Sequence, residues 1–150
     1  MADAKSKPPP AAADPALMLK LPKVRDHMDT EVHCVAPGTP ILDAVDFLLE
    51  HHVTGAPVVD AQGRIVGILS ERDCLKLLAK GVDQDLKNRT VSEFMISDVV
   101  SIPPDMDLYW VAGIFLGSTV RRLPVVEDGK LVGAITRFDI LRVIQKAYPH

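Results

Sequence analysis

Val66-Gly67-Ile68-Leu69-Ser70-Glu71-Arg72-Asp73 and Val132-Gly133-Ala134-Ile135-Thr136-Arg137-Phe138-Asp139 are two versions of one stretch, set 66 residues apart. In each, an apolar run containing a glycine ends in a hydroxyl residue, with an aspartate three places further on. Upstream, Ala56-Pro57-Val58-Val59 aligns with Leu123-Pro124-Val125-Val126, while Val24, Met28, Val32 and Pro37 align with Val91, Met95, Val99 and Pro104, now 67 apart. The difference of one residue falls in the turn between, where Asp60-Ala61-Gln62-Gly63 becomes Glu127-Asp128-Gly129. Self-similarity at such a period marks one supersecondary unit copied twice.

Each copy predicts the same order of elements. A short extended run (Val32 to Val35; Val99 to Ile102) ends at a proline, which favours a turn before a helix. The helix expected near Pro40 to His51 carries Ile41, Val45, Leu48 and Leu49 on one face and Asp43, Asp46 and Glu50 on another, the pattern of an amphipathic helix. Two β-branched runs follow, separated by a glycine-containing turn of hairpin length, so they pair antiparallel. A second helix begins near Ser70 or Thr136 and is expected to bury Cys74, Leu75 and Leu78 in one copy, and Ile140, Leu141 and Ile144 in the other. The fold class is therefore α+β, with two β-α-β-β-α repeats packed sheet to sheet about a pseudo-twofold axis.

Length supports this pairing, because a unit of about 60 residues is marginal alone and a partner copy would complete its core. The expected divisions are an N-terminal arm over 1–15, a first repeat with its lead-in over 16–80, a polar linker over 81–90, a second repeat over 91–146 and a tail over 147–150. The arm, with Pro8-Pro9-Pro10 and Ala11-Ala12-Ala13 and no aromatic residue, is expected to be disordered.

Composition removes several classes of function. Hydrophobic residues are 47% and charged residues 25% of the 150-residue chain, close to the globular average. A net charge of −3 without long Lys/Arg runs argues against nucleic acid as a polymeric partner. No apolar run is long enough to cross a bilayer, and Met1-Ala2-Asp3-Ala4 does not begin a basic-then-apolar leader, so a cytoplasmic location is expected and no membrane contact. Cys34 and Cys74 are read as free thiols of a reducing compartment.

Ser70-x-x-Asp73 and Thr136-x-x-Asp139 each stand where a strand turns into a helix, and two readings apply. In one they are capping motifs, the hydroxyl accepting from an early helix N–H and the carboxylate favouring the positive end of the dipole. In the other, the same unpaired N–H groups and hydroxyl form a phosphate site, and the aspartate accepts from a ribose diol. Duplication of the whole context favours the second.

The combination of Pro-Val-Val-Asp/Glu, a turn, Gly-x-x-Ser/Thr-x-x-Asp and duplication resembles the cystathionine-beta-synthase (CBS) domain, and two copies resemble the CBS pair, or Bateman module, over about residues 24 to 146. The resemblance implies that Ser70 and Asp73, and Thr136 and Asp139, hold phosphate and ribose of an adenosine ligand: AMP, ADP or ATP, or S-adenosylmethionine. It implies that adenine is held around Glu31, His33, Thr54, Gly55 and Ala56 in the first cleft, and around Asp98, Val100, Arg121, Arg122 and Leu123 in the second. Arg121 and Arg122 replace the neutral Thr54 and Gly55, and Arg137 follows Thr136, so the second cleft is expected to prefer phosphorylated ligands. Glu71 should repel a polyphosphate in the first.

The apolar helix Asp107-Leu108-Tyr109-Trp110-Val111-Ala112-Gly113-Ile114-Phe115-Leu116-Gly117 has hardly a polar face and implies a homodimer, with Tyr109, Trp110 and Phe115 as anchors, in keeping with how CBS pairs dimerise. No metal site is expected: His51 and His52 are adjacent on a helix, His33 and Cys34 adjacent on a strand, and His27 and His150 stand alone. No catalytic constellation or catalytic cofactor is expected either. The function implied is a nucleotide-sensing regulatory module, not an enzyme, that signals to a separate partner protein; the alternative is a constitutive dimeric scaffold without ligand.

Overall fold

A computed structural model of the chain describes residues 22–79 and 85–148. The expected arm over 1–15, residues 81–84 of the expected linker, and His150 lie outside the described residues. The described residues form four α-helices and four strands, besides three short 3-10 turns: α1 (Ile41–Glu50), β1 (Gly55–Val59), β2 (Ile65–Ser70), α2 (Glu71–Ala79), α3 (Leu108–Leu116), β3 (Arg122–Glu127), β4 (Lys130–Thr136) and α4 (Arg137–Ala147). The class is α+β, with two hairpin-helix units.

The turns explain the missing residue. Asp128 and Gly129 have φ of 53° and 80°, the two positive values of the tight hairpin turn that Asp-Gly favours. The longer first turn is held by Asp60, whose carboxylate accepts from the amides of Gln62 and Arg64, both at 2.9 Å, with Gly63 at φ 82°. Each hairpin shifts register at the same place, between Val58 and Val59 and between Val125 and Val126, a bulge common to both copies. The leading extended run of each copy contributes a single parallel bridge, Val35 to Val58 and Ile102 to Val125.

Two compact units emerge, and their boundaries cross the repeat. One spans His33–Val99; the other combines residues 22–32 with those from Val100 on. In the first, the segment Val91–Ile96 returns to the first hairpin, where Ile68 and Ile96 exchange two 2.9 Å backbone bonds. In the second, Asp29 and Ala134 exchange two such bonds, also at 2.9 Å. Both approaches need glycine: a Cβ on Gly67 would lie 2.5 Å from Met95 Sδ, and one on Gly133 would lie 2.7 Å from Met28 Sδ. The motif glycines thus make room for a crossing segment. Lys23–Asp107 and Arg25–Glu127, each at 2.7 Å, secure the lead-in of the second unit at the surface.

Each unit has its own core. Ile41, Ala44, Leu48, Ala56, Val58, Leu69 and Val91 fill the first, and Val24, Ile102, Leu108, Val111, Phe115, Leu123, Val125 and Ile135 the second. Three expectations about faces are corrected. Leu49 is exposed, because Ala44 rather than Leu49 completes the inner face of α1. Leu75 and Leu78 of α2, and Leu141 and Ile144 of α4, are exposed rather than buried, because Cys74 and Leu77, and Ile140 and Val143, take the positions against the cores. Phe115, expected at a self-interface, is only 6% exposed and packs inside its own unit, so its ring has little surface left for a partner. Tyr109 and Trp110 are half-buried.

Candidate ligand-binding site

The two strand-to-helix junctions are built alike, down to individual atoms. Asp73 Oδ2 accepts from the Ser70 amide and from Ser70 Oγ, both at 2.9 Å, and Ser70 Oγ accepts in turn from the Asp73 amide at 3.3 Å. Asp139 Oδ2 accepts from the Thr136 amide at 2.7 Å and from Thr136 Oγ1 at 3.0 Å, and Thr136 Oγ1 accepts from the Asp139 amide at 3.3 Å. These are reciprocal caps, in which one carboxylate and one hydroxyl satisfy amides that a helix start leaves unpaired. A basic residue one turn on reaches each remaining oxygen: Lys76 to Asp73 Oδ1 at 3.3 Å and Arg142 to Asp139 Oδ1 at 2.9 Å. Each Oδ1 keeps a second lone pair, and it is this atom that could accept from a diol.

Around the first junction the structure gathers Thr54, Gly55 and Ala56. The Glu71 amide donates to the Thr54 carbonyl at 2.8 Å, Gly55 pairs with Ser70, and Ala56 is buried opposite Leu69. Asp73 is 2% exposed, the one buried charged residue among those described. Its neighbour Cys74 has a thiol pushed up from the usual range, first by burial and then by the Asp73 charge, which lowers its thiolate fraction. The His33 ring stacks on that of His51 at 4.0 Å and meets Phe47 edge-on at 6.3 Å. Glu31 belongs to the other unit, as does Val100, whereas Asp98 belongs to the His33–Val99 unit.

Around the second junction Arg122 pairs with Thr136, and the buried Leu123 with Ile135. Arg122 Nε is buried with no hydrogen-bond partner, and its outer guanidinium lies 4.0 Å from Asp29. Arg121 is exposed. Arg137 is turned onto the end of α3: its Nη2 donates to the carbonyls of Phe115 at 3.4 Å and Ser118 at 3.3 Å, and its Cζ stands 5.9 Å from the Phe115 ring centroid. The second junction is thus richer in guanidinium groups than the first, and one of them carries an orphaned N–H.

The trio of His33, Phe47 and His51 was not foreseen from sequence. Of the three, Phe47 also lines an open groove of about 450 Å³, with Cys34, Asp43, Asp46 and Glu50. No periodicity links the start of an extended run to the far end of the following helix, so only the fold brings these rings together. Among the described residues no group of three or more His, Cys, Asp or Glu side chains could hold a metal ion, and no helix is long and apolar enough to cross a membrane.

The family model for the CBS domain matches residues 24–80 and again 91–146. The chain belongs to the CBS domain family. This CBS pair is 36% identical over 118 residues to the CBS domain-containing protein YhcV of Bacillus subtilis, covering 78% of this chain and 81% of YhcV. It spans smaller parts of other relatives: 42% of protein MJ1225 of Methanocaldococcus jannaschii, at 31% identity over 81% of this chain, and 14% of the A-adding tRNA nucleotidyltransferase of Aquifex aeolicus, at 32% identity over 83% of it. Among solved structures, CBSX2 in complex with AMP matches at TM-score 0.72 and 32% identity, covering 83% of this chain and 97% of CBSX2, a protein of Arabidopsis thaliana. The CBS domain pair of MJ0100 in complex with 5′-methylthioadenosine and S-adenosyl-L-methionine matches at TM-score 0.66 and 27% identity, covering 85% of this chain and 99% of that one.

Proposed function

We propose that this CBS pair is a regulatory module that binds an adenosine nucleotide, AMP, ADP or ATP, and signals its presence to a separate partner protein. The observation that carries the reading is the duplicated junction: Ser70 with Asp73 and Thr136 with Asp139, matched bond for bond. A hydroxyl and the first amides of a helix suit phosphate, and an acceptor-only carboxylate suits a ribose diol. The complexes of CBSX2 with AMP and of the MJ0100 pair with S-adenosylmethionine support this ligand class. His33, Thr54, Gly55 and Ala56 are proposed for the first adenine site, and Val100, Arg121, Arg122 and Leu123 for the second. Occupation of a site would favour one arrangement of the chain over another, which is what signalling to a partner requires. The reading assigns the chain no chemical step.

The second site is proposed to take phosphorylated ligands more tightly. Arg122 Nε lacks an acceptor, and a buried donor left unsatisfied gains from any anion that reaches it. Where the second junction has Arg122 the first has Gly55, and in place of Arg137 it has Glu71, whose amide is already given to Thr54.

The working form is proposed to be a homodimer in the cytoplasm. Leu75 and Leu78 on α2 are 63% and 81% exposed, and Phe138 and Leu141 on α4 are 69% and 56% exposed, more apolar side chain than a solvated helix face needs. A second copy covering these faces, with Tyr109 and Trp110 included, is the economical occupant. The two free thiols, Cys34 and Cys74, suit a reducing compartment.

Calorimetric titration of ligand-stripped protein with AMP, ADP, ATP and S-adenosylmethionine tests the reading, with Asp73→Asn and Asp139→Asn to assign the sites. Micromolar binding that one of these changes weakens about tenfold or more supports it. The second reading, a constitutive scaffold, is favoured by the reciprocal caps, which already occupy each hydroxyl and one oxygen of each carboxylate; absence of binding by all four ligands would establish it in place of the first.

A further inference from the structure

Arg137 stands between two sets of acceptors. As the first residue of α4 it is one position past Thr136, at the end of the helix where a phosphate would gather unpaired amides. Its guanidinium instead reaches back to the carbonyls of Phe115 and Ser118, at 3.4 and 3.3 Å. Those carbonyls belong to the end of α3, which carries no basic residue in its own last turn. At this helix end Ser118 Oγ donates to the Ile114 carbonyl at 2.9 Å, the Gly117 amide to the Gly113 carbonyl at 3.0 Å, and Arg137 to the carbonyls of Phe115 and Ser118. A cation there also opposes the negative end of the α3 dipole.

Both Arg137 bonds are longer than the 2.7–2.9 Å or so typical of a guanidinium on an anionic oxygen. A phosphate at the start of α4 would offer shorter bonds and a full charge, so it would outcompete two neutral carbonyls. We propose that Arg137 is a ligand-released latch: in the arrangement described it clamps the end of α3, and a phosphate bound at Thr136 draws it away and frees the turn Phe115–Ser118. This inference rests on the nucleotide-binding reading and adds to it the means by which occupancy is passed on.

Two features give the release a readable consequence. Leu116, inside the clamped turn, is 88% exposed, and Phe138, beside Arg137, is 69% exposed; freeing the latch would rearrange apolar side chains at the surface where a partner could sense them. The device is also confined to one half of the chain, because Glu71 occupies the matching position in the first copy and a carboxylate cannot donate to a carbonyl.

Hydrogen–deuterium exchange of peptides covering residues 114–120, on the full chain with and without saturating AMP, tests the latch, with adenosine as the ligand lacking phosphate. AMP should raise exchange there roughly threefold to tenfold, the scale expected when one helix end loses a modest anchor, and adenosine should not. Arg137→Gln should show the raised exchange without ligand and no further rise with AMP, while Arg137→Lys, which keeps the charge, should retain part of the response. AMP that binds the wild type, by calorimetry, with exchange at 114–120 unchanged or lowered overturns the latch alone. So does Arg137→Gln responding as the wild type does. If AMP does not bind the wild type at all, the nucleotide reading fails first and the latch falls with it.

Discussion

The sulfur of Met28 lies against the bare face of Gly133, where an added Cβ would come within 2.7 Å of it, and the Asp29 carbonyl bounds the same space at 2.9 Å. The side chain could yield; the backbone carbonyl, engaged with the Ala134 amide at 2.9 Å, could not without breaking that bond. Gly133→Ala is therefore expected to destabilise the protein by about 1–3 kcal/mol through overpacking. Urea unfolding checks this, and the double change with Met28→Ala should recover only part of the loss. Full recovery would mean that the sulfur alone sets the limit.

The two caps should differ in stability although they match in geometry. The Asp73 side chain is 3% exposed and that of Asp139 15%, so truncating the first strands amides with less access to water. Loss of such a cap costs about 0.5–2 kcal/mol. Thermal melts without ligand are expected to place Asp73→Ala at the upper end and Asp139→Ala below it. Equal shifts would show that burial does not decide the difference.

Cys34 is exposed, whereas Cys74 is half-buried with its thiol pushed up by burial and by Asp73. A raised thiol leaves less thiolate at a given pH, so iodoacetamide near pH 8 should modify Cys34 well before Cys74. Asp73→Asn removes the electrostatic cause and leaves the burial, so it should narrow the gap without closing it. Mass spectrometry of partly alkylated protein reads both outcomes.

If the exposed faces of α2 and α4 meet a second copy, charge placed there should disperse it. Leu75→Glu and Leu141→Glu touch no core position and should leave the folded monomer intact by circular dichroism. Sedimentation is expected to show their mass falling from dimer to monomer. A wild type that sediments as a monomer, or a dimer indifferent to both changes, would put the interface elsewhere.

Much of this architecture was legible in the residues. The Gly-x-x-Ser/Thr-x-x-Asp pattern placed both junctions, and Asp128-Gly129 announced its tight turn, because each depends on chemistry within a few residues of itself. What sequence could not carry was the choice of distant partner. The apolar spacing of α2 and α4 shows that these helices have an apolar face, but Leu75 and Cys74 are both apolar enough for the inner position, and only packing selects Cys74. Its neighbour Thr136 points Arg137 toward a phosphate, whereas the carbonyls of Phe115 and Ser118, about twenty residues earlier in the chain, are acceptors that spacing cannot reveal. The stacking of His33 on His51 likewise depends on how helix α1 ends, which spacing does not show.

The crossed stitching bears on how this chain can be divided. Ile68 is bonded to Ile96, and Ala134 to Asp29, so a cut in the stretch between Ala79 and Asp85 gives two fragments, each carrying a strip of backbone that the other's hairpin requires. Separately, each would present an open hairpin edge, a template for misassembly. Mixed, they should find each other and restore both compact units. The stretch that duplication copied is thus not the piece that folds, and anyone excising one copy for expression would do better to follow the contacts than the repeat.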